Sequence, residues 1–279
     1  MLSLCLAILS SSLVSVIMRL SGSRVKDNLG MLAMNYIVCT LLSGLLGGFG
    51  ELLSPMDSGR AVVMGMGGIN GVLYLAGFVL MQINIQRNGV VLSSIFQKLG
   101  LLVAMVVSVC VYHEVPTPLQ GFGFGLAVLA IIVMNYQKSG ETVGYKAGLI
   151  WMLLACGMAN AMSQVFSEFG RPELEGQFLM FTFGAAMLLC LTMMAAKKQK
   201  IGLWEFAFGT LIAVPNFFSS KFILGALETL PAVIVQPVSN VGSILVVTLA
   251  GLLLFRERLA KRQWIGIAAI LVALVLLNV

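Results

Sequence analysis

The chain has 279 residues, 59% hydrophobic and 10% charged, with a mean hydropathy of +1.01 and a formal net charge of +6. So little polar surface cannot coat a soluble domain of this size, so the composition predicts an integral membrane protein. The excess of Lys and Arg falls between apolar stretches and forms no basic tail, which argues against a nucleic-acid partner.

At about twenty apolar residues per span, ten helices are predicted in chain order: Leu2 to Leu20, Leu29 to Phe49, Val62 to Ile85, Gly89 to Tyr112, Thr117 to Tyr136, Gly144 to Glu168, Gly176 to Ala196, Leu203 to Gly225, Ala232 to Leu254, and Lys261 to Asn278. The first lacks a basic leading region and a small-residue cleavage pattern, and is expected to be a retained span and not a signal peptide. The connections are short, the longest being residues 50–61, and leave no extramembrane domain for ATP or redox chemistry. No cofactor is expected. Cys5, Cys39, Cys110, Cys156 and Cys190 all lie in apolar stretches without CxxC spacing, and His113 is the sole histidine, so neither a disulfide framework nor a metal site is expected.

The fourth span carries Ser93, Ser94, Gln97 and Lys98. A charge at that depth costs about 2.5 to 3.5 kcal/mol and marks a functional candidate. A similar pattern recurs 143 residues later, where Gln236, Ser239, Asn240 and Ser243 fall at i, i+3, i+4 and i+7, one face of a helix. Residues 89–136 overlay on 232–279 without a gap, setting Glu114, Gln120, Gly123 and Asn135 on Glu257, Gln263, Gly266 and Asn278. Five helices are thus repeated, and an odd number makes the second copy enter the membrane from the opposite side.

The paired segments YHEVPTPLQGFGFGLAVLAIIVMN and FRERLAKRQWIGIAAILVALVLLN resemble the repeat ends of EamA-type transporters of the drug/metabolite transporter superfamily. The resemblance extends over the whole chain. It implies an all-α integral membrane fold of ten transmembrane helices, two inverted five-helix repeats (residues 1–138 and 139–279) around a central cavity, with the fifth helix of each half outside. Family members usually carry Gly before the motif's Glu, where this chain has His113 and Arg256. The spans at 117–136 and 261–278 have almost no polar residue in their middle thirds and suit lipid.

The other spans carry polar stripes that must face one another or water. Lys98 is the expected anchor for a carboxylate or phosphate, because no acid lies at comparable depth; Lys221 either joins it or snorkels to the headgroups. Ser94, Gln97, Gln236, Ser239 and Asn240 are expected to hydrogen-bond the substrate, and Asn35, Tyr36, Asn70, Tyr74, Asn160, Gln164 and Asn216 to complete the walls. Tyr36, Tyr74, Phe96, Phe217 and Phe218 either stack on a planar substrate or fill the core. Pro215 and Pro237 each remove a helix hydrogen bond and are hinge candidates. The GxxxG pairs Gly44/Gly48, Gly67/Gly71 and Gly121/Gly125 are read as packing sites.

No HExxH, GxSxG, phosphate loop or paired intramembrane carboxylates appear, so an enzyme is not expected. The reading is a secondary carrier for a small polar metabolite bearing a carboxylate or phosphate. It runs on the substrate gradient, with Glu168, Glu205 and Glu228 the acids whose depth decides proton coupling. An efflux carrier for amino acids or drug-like amphiphiles is the alternative within the class; a channel or membrane scaffold is the alternative outside it. The expected partners are the substrate and membrane lipid, with the chain a monomer or homodimer in a plasma or bacterial inner membrane. The odd-numbered connections collect thirteen basic residues, Arg19, Arg24, Lys26, Arg87, Lys138, Lys146, Lys197, Lys198, Lys200, Arg256, Arg258, Lys261 and Arg262, against two, Arg60 and Arg171, on the other side. The positive-inside rule then puts both termini outside the cytoplasm, whereas the family resemblance implies both inside.

Overall fold

In a computed structural model the protein is described over residues 1–22, 24–25, 28–52, 57–88, 93, 96–97, 99–113, 116–135, 146–254 and 261–277. These residues contain no strand. A helix satisfies its own backbone N–H and C=O groups, which hydrocarbon demands, and the described apolar runs take that form, the fourth predicted span from Leu101 onward. The helices are α1 (Leu2–Ser21), α2 (Asn28–Ser43), α3 (Ser58–Asn88), α4 (Leu101–Tyr112), α5 (Pro118–Asn135), α6 (Lys146–Phe169), α7 (Glu175–Ala196), α8 (Leu203–Leu227), α9 (Ala232–Leu254) and α10 (Lys261–Leu277). Seven stretches among them are long and apolar enough to cross a membrane; α4, α5 and α10 contribute shorter apolar stretches. The protein is therefore a multi-pass membrane protein.

One departure from the sequence reading is local. The second span gives way at Gly44 to a π turn, Gly44–Gly48, in which Leu46 leaves helical geometry and Gly47 adopts φ 147°. Only glycine enters that region freely, so Gly44, Gly47 and Gly48 serve a bend before the short helical turn Phe49–Leu52.

The chain divides into two compact units, one of Met1–Leu75 with Val165–Glu228 and one of Ala76–Gln164 with Thr229–Val279. In the first, α2 packs on α7 and α8, and α1 packs on α8. In the second, α5 packs on α10, and α9 packs on α4 and α10. Three of these pairs, α2 with α7, α4 with α9 and α5 with α10, join helices at equivalent places in the two predicted repeats.

The first unit holds a contact made twice. A methyl group on Gly67 of α3 would meet the Phe178 carbonyl oxygen, the Phe181 Cβ and the Thr182 amide of α7. One on Gly209 of α8 would meet the Met31 carbonyl oxygen, the Met34 Cβ and the Asn35 amide of α2. The spacing of the three partners is the same, and α8 stands to α2 as α3 does to α7. Gly71, one turn beyond Gly67, lies on the Thr182 carbonyl. Small residues let backbones approach this closely where no hydrophobic force between helices exists. An ion pair of 2.6 Å between Arg171 and Asp57 brings the α2–α3 connection to the α6–α7 connection. Arg24 lies 4.8 Å from the Trp204 ring centre, which brings the α1–α2 connection to the start of α8.

In the second unit the core is made of small side chains, Ala127, Ala130, Val241 and Ala273, with Leu126, Ile244, Leu245 and Ala269 around them. Here the expected GxxxG role shifts by two residues. Gly121 and Gly125 have no neighbour within 4 Å among the described residues, whereas a methyl group on Gly123 would meet the Leu276 Cβ at 2.8 Å. Gly123 is the close-packing position on α5.

Candidate functional site

The expected site residues fall into two clusters, one in each unit. In the first unit Asn35 is buried on α2, and its Oδ1 accepts from Asn216 Nδ2 of α8 at 3.2 Å. The Cys39 thiol, one turn along α2, points to the same oxygen at 3.7 Å and donates to the Ala213 carbonyl at 3.3 Å. The Phe217 backbone N–H is hydrogen-bonded to that sulfur. Cys39 thus sits against α8 where Pro215, lacking an N–H, interrupts the hydrogen-bond ladder. The hinge candidate is occupied by a side chain of the neighbouring helix, a feature that α2 gave no sequence signal for.

Tyr36 of α2 stacks on Phe183 of α7 with ring centres 6.4 Å apart and 28° between planes, and Tyr74 of α3 meets Phe183 edge-on at 6.4 Å. Tyr36 and Phe183 follow Asn35 and Thr182, the pair that closes the two equivalent glycine crossings. Asn70 Nδ2 donates to Thr182 Oγ1 at 3.5 Å, while its Oδ1, buried, has no partner among the described residues. Thr182 was not singled out in the sequence, because Thr182 and Thr192, ten residues apart in the apolar seventh span, make no stripe. Phe217 and Phe218 meet edge-on at 5.3 Å, and Phe218 stacks on Phe222 at 5.7 Å.

Lys221 lies one turn beyond Phe217 on α8 and lines a cavity of about 140 Å³. Its other walls include Ser43 and Gly47 at the end of α2 and Glu173, Glu175 and Gly176 at the start of α7. A side chain on Gly176 would run into the backbone of Gly47 and Gly48, so this wall is backbone against backbone.

The second unit holds Gln97, Asn160, Gln164, Gln236, Ser239 and Asn240. Gln236 is buried, and its Nε2 donates to the Asn160 carbonyl at 3.3 Å, tying α9 to α6. Asn240 Nδ2 donates to the Gln236 carbonyl at 3.0 Å and Ser243 Oγ to the Ser239 carbonyl at 2.7 Å. Pro237 lies between these turns. Gln164 Oε1 accepts from Ser108 Oγ at 3.3 Å, leaving its buried Nε2 without a partner among the described residues. Gln97 is half-buried. Ser94 and Lys98 lie outside the described residues.

Two further polar residues continue the Asn70 and Tyr74 stripe down α3. Asn88 Nδ2 donates to Asn84 Oδ1 at 2.8 Å, and Asn84 Nδ2 donates to the Leu80 carbonyl at 2.8 Å. Both are buried. Their spacing of four residues is the signal that would have found them.

Of the three acids named for coupling, Glu168 and Glu228 are exposed, and Glu205 is buried at the start of α8. The Glu205 carboxylate lies over Gly202, in the first turn of α8, where an acid suits the positive end of the helix dipole. The acids that line the cavity beside Lys221 are instead Glu173 and Glu175, just before the seventh predicted span.

A sequence model described as the EamA-like transporter family matches residues 1–136 and 146–279. An uncharacterized protein of Haemophilus influenzae is 24% identical over 203 residues, which cover 71% of this chain and 69% of that protein. A crystal structure superposes with a TM-score of 0.72, covering 99% of this chain and 94% of its own. At 15% identity that likeness is one of fold.

Proposed function

We propose that this chain, which belongs to the EamA-like transporter family, is a secondary carrier for a small polar metabolite bearing a carboxylate or a phosphate. It moves its cargo without ATP, by alternating access between two inverted five-helix halves, residues 1–138 and 139–279, that enclose a central cavity.

The observation that carries this reading is the glycine crossing made twice. When α3 meets α7 through the same three atoms by which α8 meets α2, the halves use one contact with the partners exchanged. A repeated seam of this kind lets two conformations of equal construction face opposite sides of the membrane. Buried amides and hydroxyls on α2, α3, α6, α7 and α9 supply polar groups at membrane depth, where they are costly and tend to serve a cargo. Anion recognition rests on Lys98 and Lys221, with Gln97, Gln236, Ser239 and Asn240 as hydrogen-bonding partners and Pro215 and Pro237 as hinges.

Orientation follows from the basic side. Trp151, Trp204 and Trp264, all exposed, sit in the first two turns of α6, α8 and α10, the helices that follow basic connections. Tryptophan favours the headgroup level. With the basic side cytoplasmic, both termini face out. A maleimide added from outside is then expected to label Ser58→Cys and not Lys200→Cys; the reverse result inverts the assignment.

Counterflow in proteoliposomes tests the function. Vesicles loaded with a monocarboxylate, dicarboxylate or sugar phosphate should concentrate the labelled form of the cargo transiently, which a channel cannot do. Lys98→Ala should cut the initial rate by about tenfold or more, the loss expected for a charge-assisted contact. Unchanged uptake of every candidate by this variant, at normal expression, would refute anion recognition by Lys98.

A further inference from the structure

Two connections of the first unit meet at one end of it. Residues 22–27 join α1 to α2 and residues 197–202 join α7 to α8, and the stacking of Arg24 on Trp204 brings them together. Arg24, Lys197, Lys198 and Lys200 are all exposed there, and none makes an ion pair among the described residues. Glu205, the acid described beside them, is buried with its carboxylate over Gly202. Like charges gathered in this way repel one another, so the cluster is poor by itself and good for an anion arriving from outside.

One of the four is held at a cost. Where α7 ends, the Lys198 N–H donates to the Ala195 carbonyl at 3.1 Å and the Gln199 N–H to the Met194 carbonyl at 3.0 Å, a closing turn that puts Lys198 at φ 52°. That position usually takes glycine, because a side chain in the left-handed region crowds the backbone. The negative end of the helix does not account for the lysine, since Lys197 stands at the same end in right-handed geometry. A charged side chain kept where glycine fits better points to a ligand.

The apolar residues beside the cations say which ligand. Leu203, Trp204 and Phe206 are exposed at the start of α8, where a span begins. Cations just outside a span, next to exposed apolar side chains and an indole that favours the headgroup level, match a molecule with a phosphate at one end and acyl chains at the other. A guanidinium lying on a ring keeps its edge N–H groups for a bidentate phosphate.

We infer that this end of the first unit holds the headgroup of an anionic phospholipid, its phosphate on Arg24 and Lys198, with Lys197 and Lys200 adding charge and the apolar start of α8 meeting the chains. The inference is independent of the cargo and of which side the basic connections face.

The test melts the full chain in nanodiscs of phosphatidylcholine alone and of phosphatidylcholine with phosphatidylglycerol, two to one, at a single salt concentration. Wild type should melt about 3 °C or more higher in the mixed membrane, since a ligand of the folded state raises its apparent stability. Arg24→Gln and Lys198→Gly should each lose about half of that gain or more. In phosphatidylcholine alone Lys198→Gly should melt no lower than wild type, because glycine takes the left-handed turn freely. Native mass spectrometry should find phosphatidylglycerol retained over phosphatidylcholine by wild type and not by Arg24→Gln. Lys146→Gln, which removes an exposed cation at the start of α6, should keep the whole gain. Equal melting of wild type in both membranes would overturn the inference. So would a loss in Lys146→Gln equal to that in Lys198→Gly, the signature of overall charge, or a Lys198→Gly variant lowered equally in both membranes, the signature of a structural lysine. Glycerol phosphate added to phosphatidylcholine nanodiscs should give no gain; the same gain from it would make this a site for soluble anions and sink the lipid.

Discussion

Replacing Gly67 by alanine sets a methyl group 2.7 Å from the Phe178 carbonyl oxygen, 2.9 Å from the Phe181 Cβ and 3.3 Å from the Thr182 amide. Two of those three atoms are backbone, so relief requires α3 to move off α7. Overpacking of this kind costs about 1 to 3 kcal/mol. Gly68, the next residue, has no neighbour within 4 Å, and alanine there should gain up to about 1 kcal/mol from helix propensity. The same methyl on Gly209 meets Met31, Met34 and Asn35 in the same pattern, so Gly209→Ala should cost what Gly67→Ala costs, to within about 0.5 kcal/mol. Equilibrium unfolding in mixed micelles, with detergent fraction as the denaturant and helicity as the probe, gives the three values. Equal stability of the Gly67 and Gly68 variants would remove the close seam. A costly Gly67→Ala beside a harmless Gly209→Ala would remove the equivalence of the two crossings.

Asn216→Ala leaves buried Asn35 without its amide donor and should destabilise by about 1 to 3 kcal/mol in the same assay, with Asn216→Asp intermediate or worse. Asp57 lies outside the spans, and the backbone N–H of Arg60, then the Arg171 guanidinium, hold its carboxyl below the usual carboxylate range. A depressed folded value means stability that is present above the unfolded pKa of about 3.9 and lost as pH falls through the folded one. The melting temperature should therefore drop between about pH 5 and pH 3, and less steeply in Asp57→Asn. Cys39 and Cys190 are buried and hydrogen-bonded to backbone carbonyls, whereas Cys5 and Cys110 are exposed. N-ethylmaleimide in micelles should modify Cys5 and Cys110 at once and the other two only on unfolding; mass spectrometry showing prompt modification of Cys39 would contradict the tight seating beside Pro215.

Much of the architecture was legible because hydrocarbon leaves few options. Ala232 to Leu254 was bounded as found, since an apolar run either crosses as a helix or does not cross. The i, i+3, i+4, i+7 face of Gln236, Ser239, Asn240 and Ser243 carried over into side chains that bond across to α6 or back along α9. The bend at Gly44–Gly48 was hidden because a glycine pair reads equally as a packing surface or as a break, and only the φ of Gly47 distinguishes them. Glu175 was not among the acids named, because depth along a helix says nothing about which neighbouring helix ends beside it. The doubled crossing escaped a search at one fixed offset: Gly67 and Gly209 are 142 residues apart, but Met31 and Phe178 are 147 apart. Unequal connections between the helices break the register that the last two helices of each repeat keep.

Carbonyls of Phe178 and Thr182 lie under Gly67 and Gly71, one glycine to each turn. Side chains cross the seam beside them, the Phe181 and Ala185 Cβ atoms against the two glycines and the Asn70 amide on Thr182 Oγ1. Were α3 to move along α7, the displacement that again seats a glycine on a carbonyl would be a whole turn, about 5.4 Å, so the seam suits stepwise and not continuous movement.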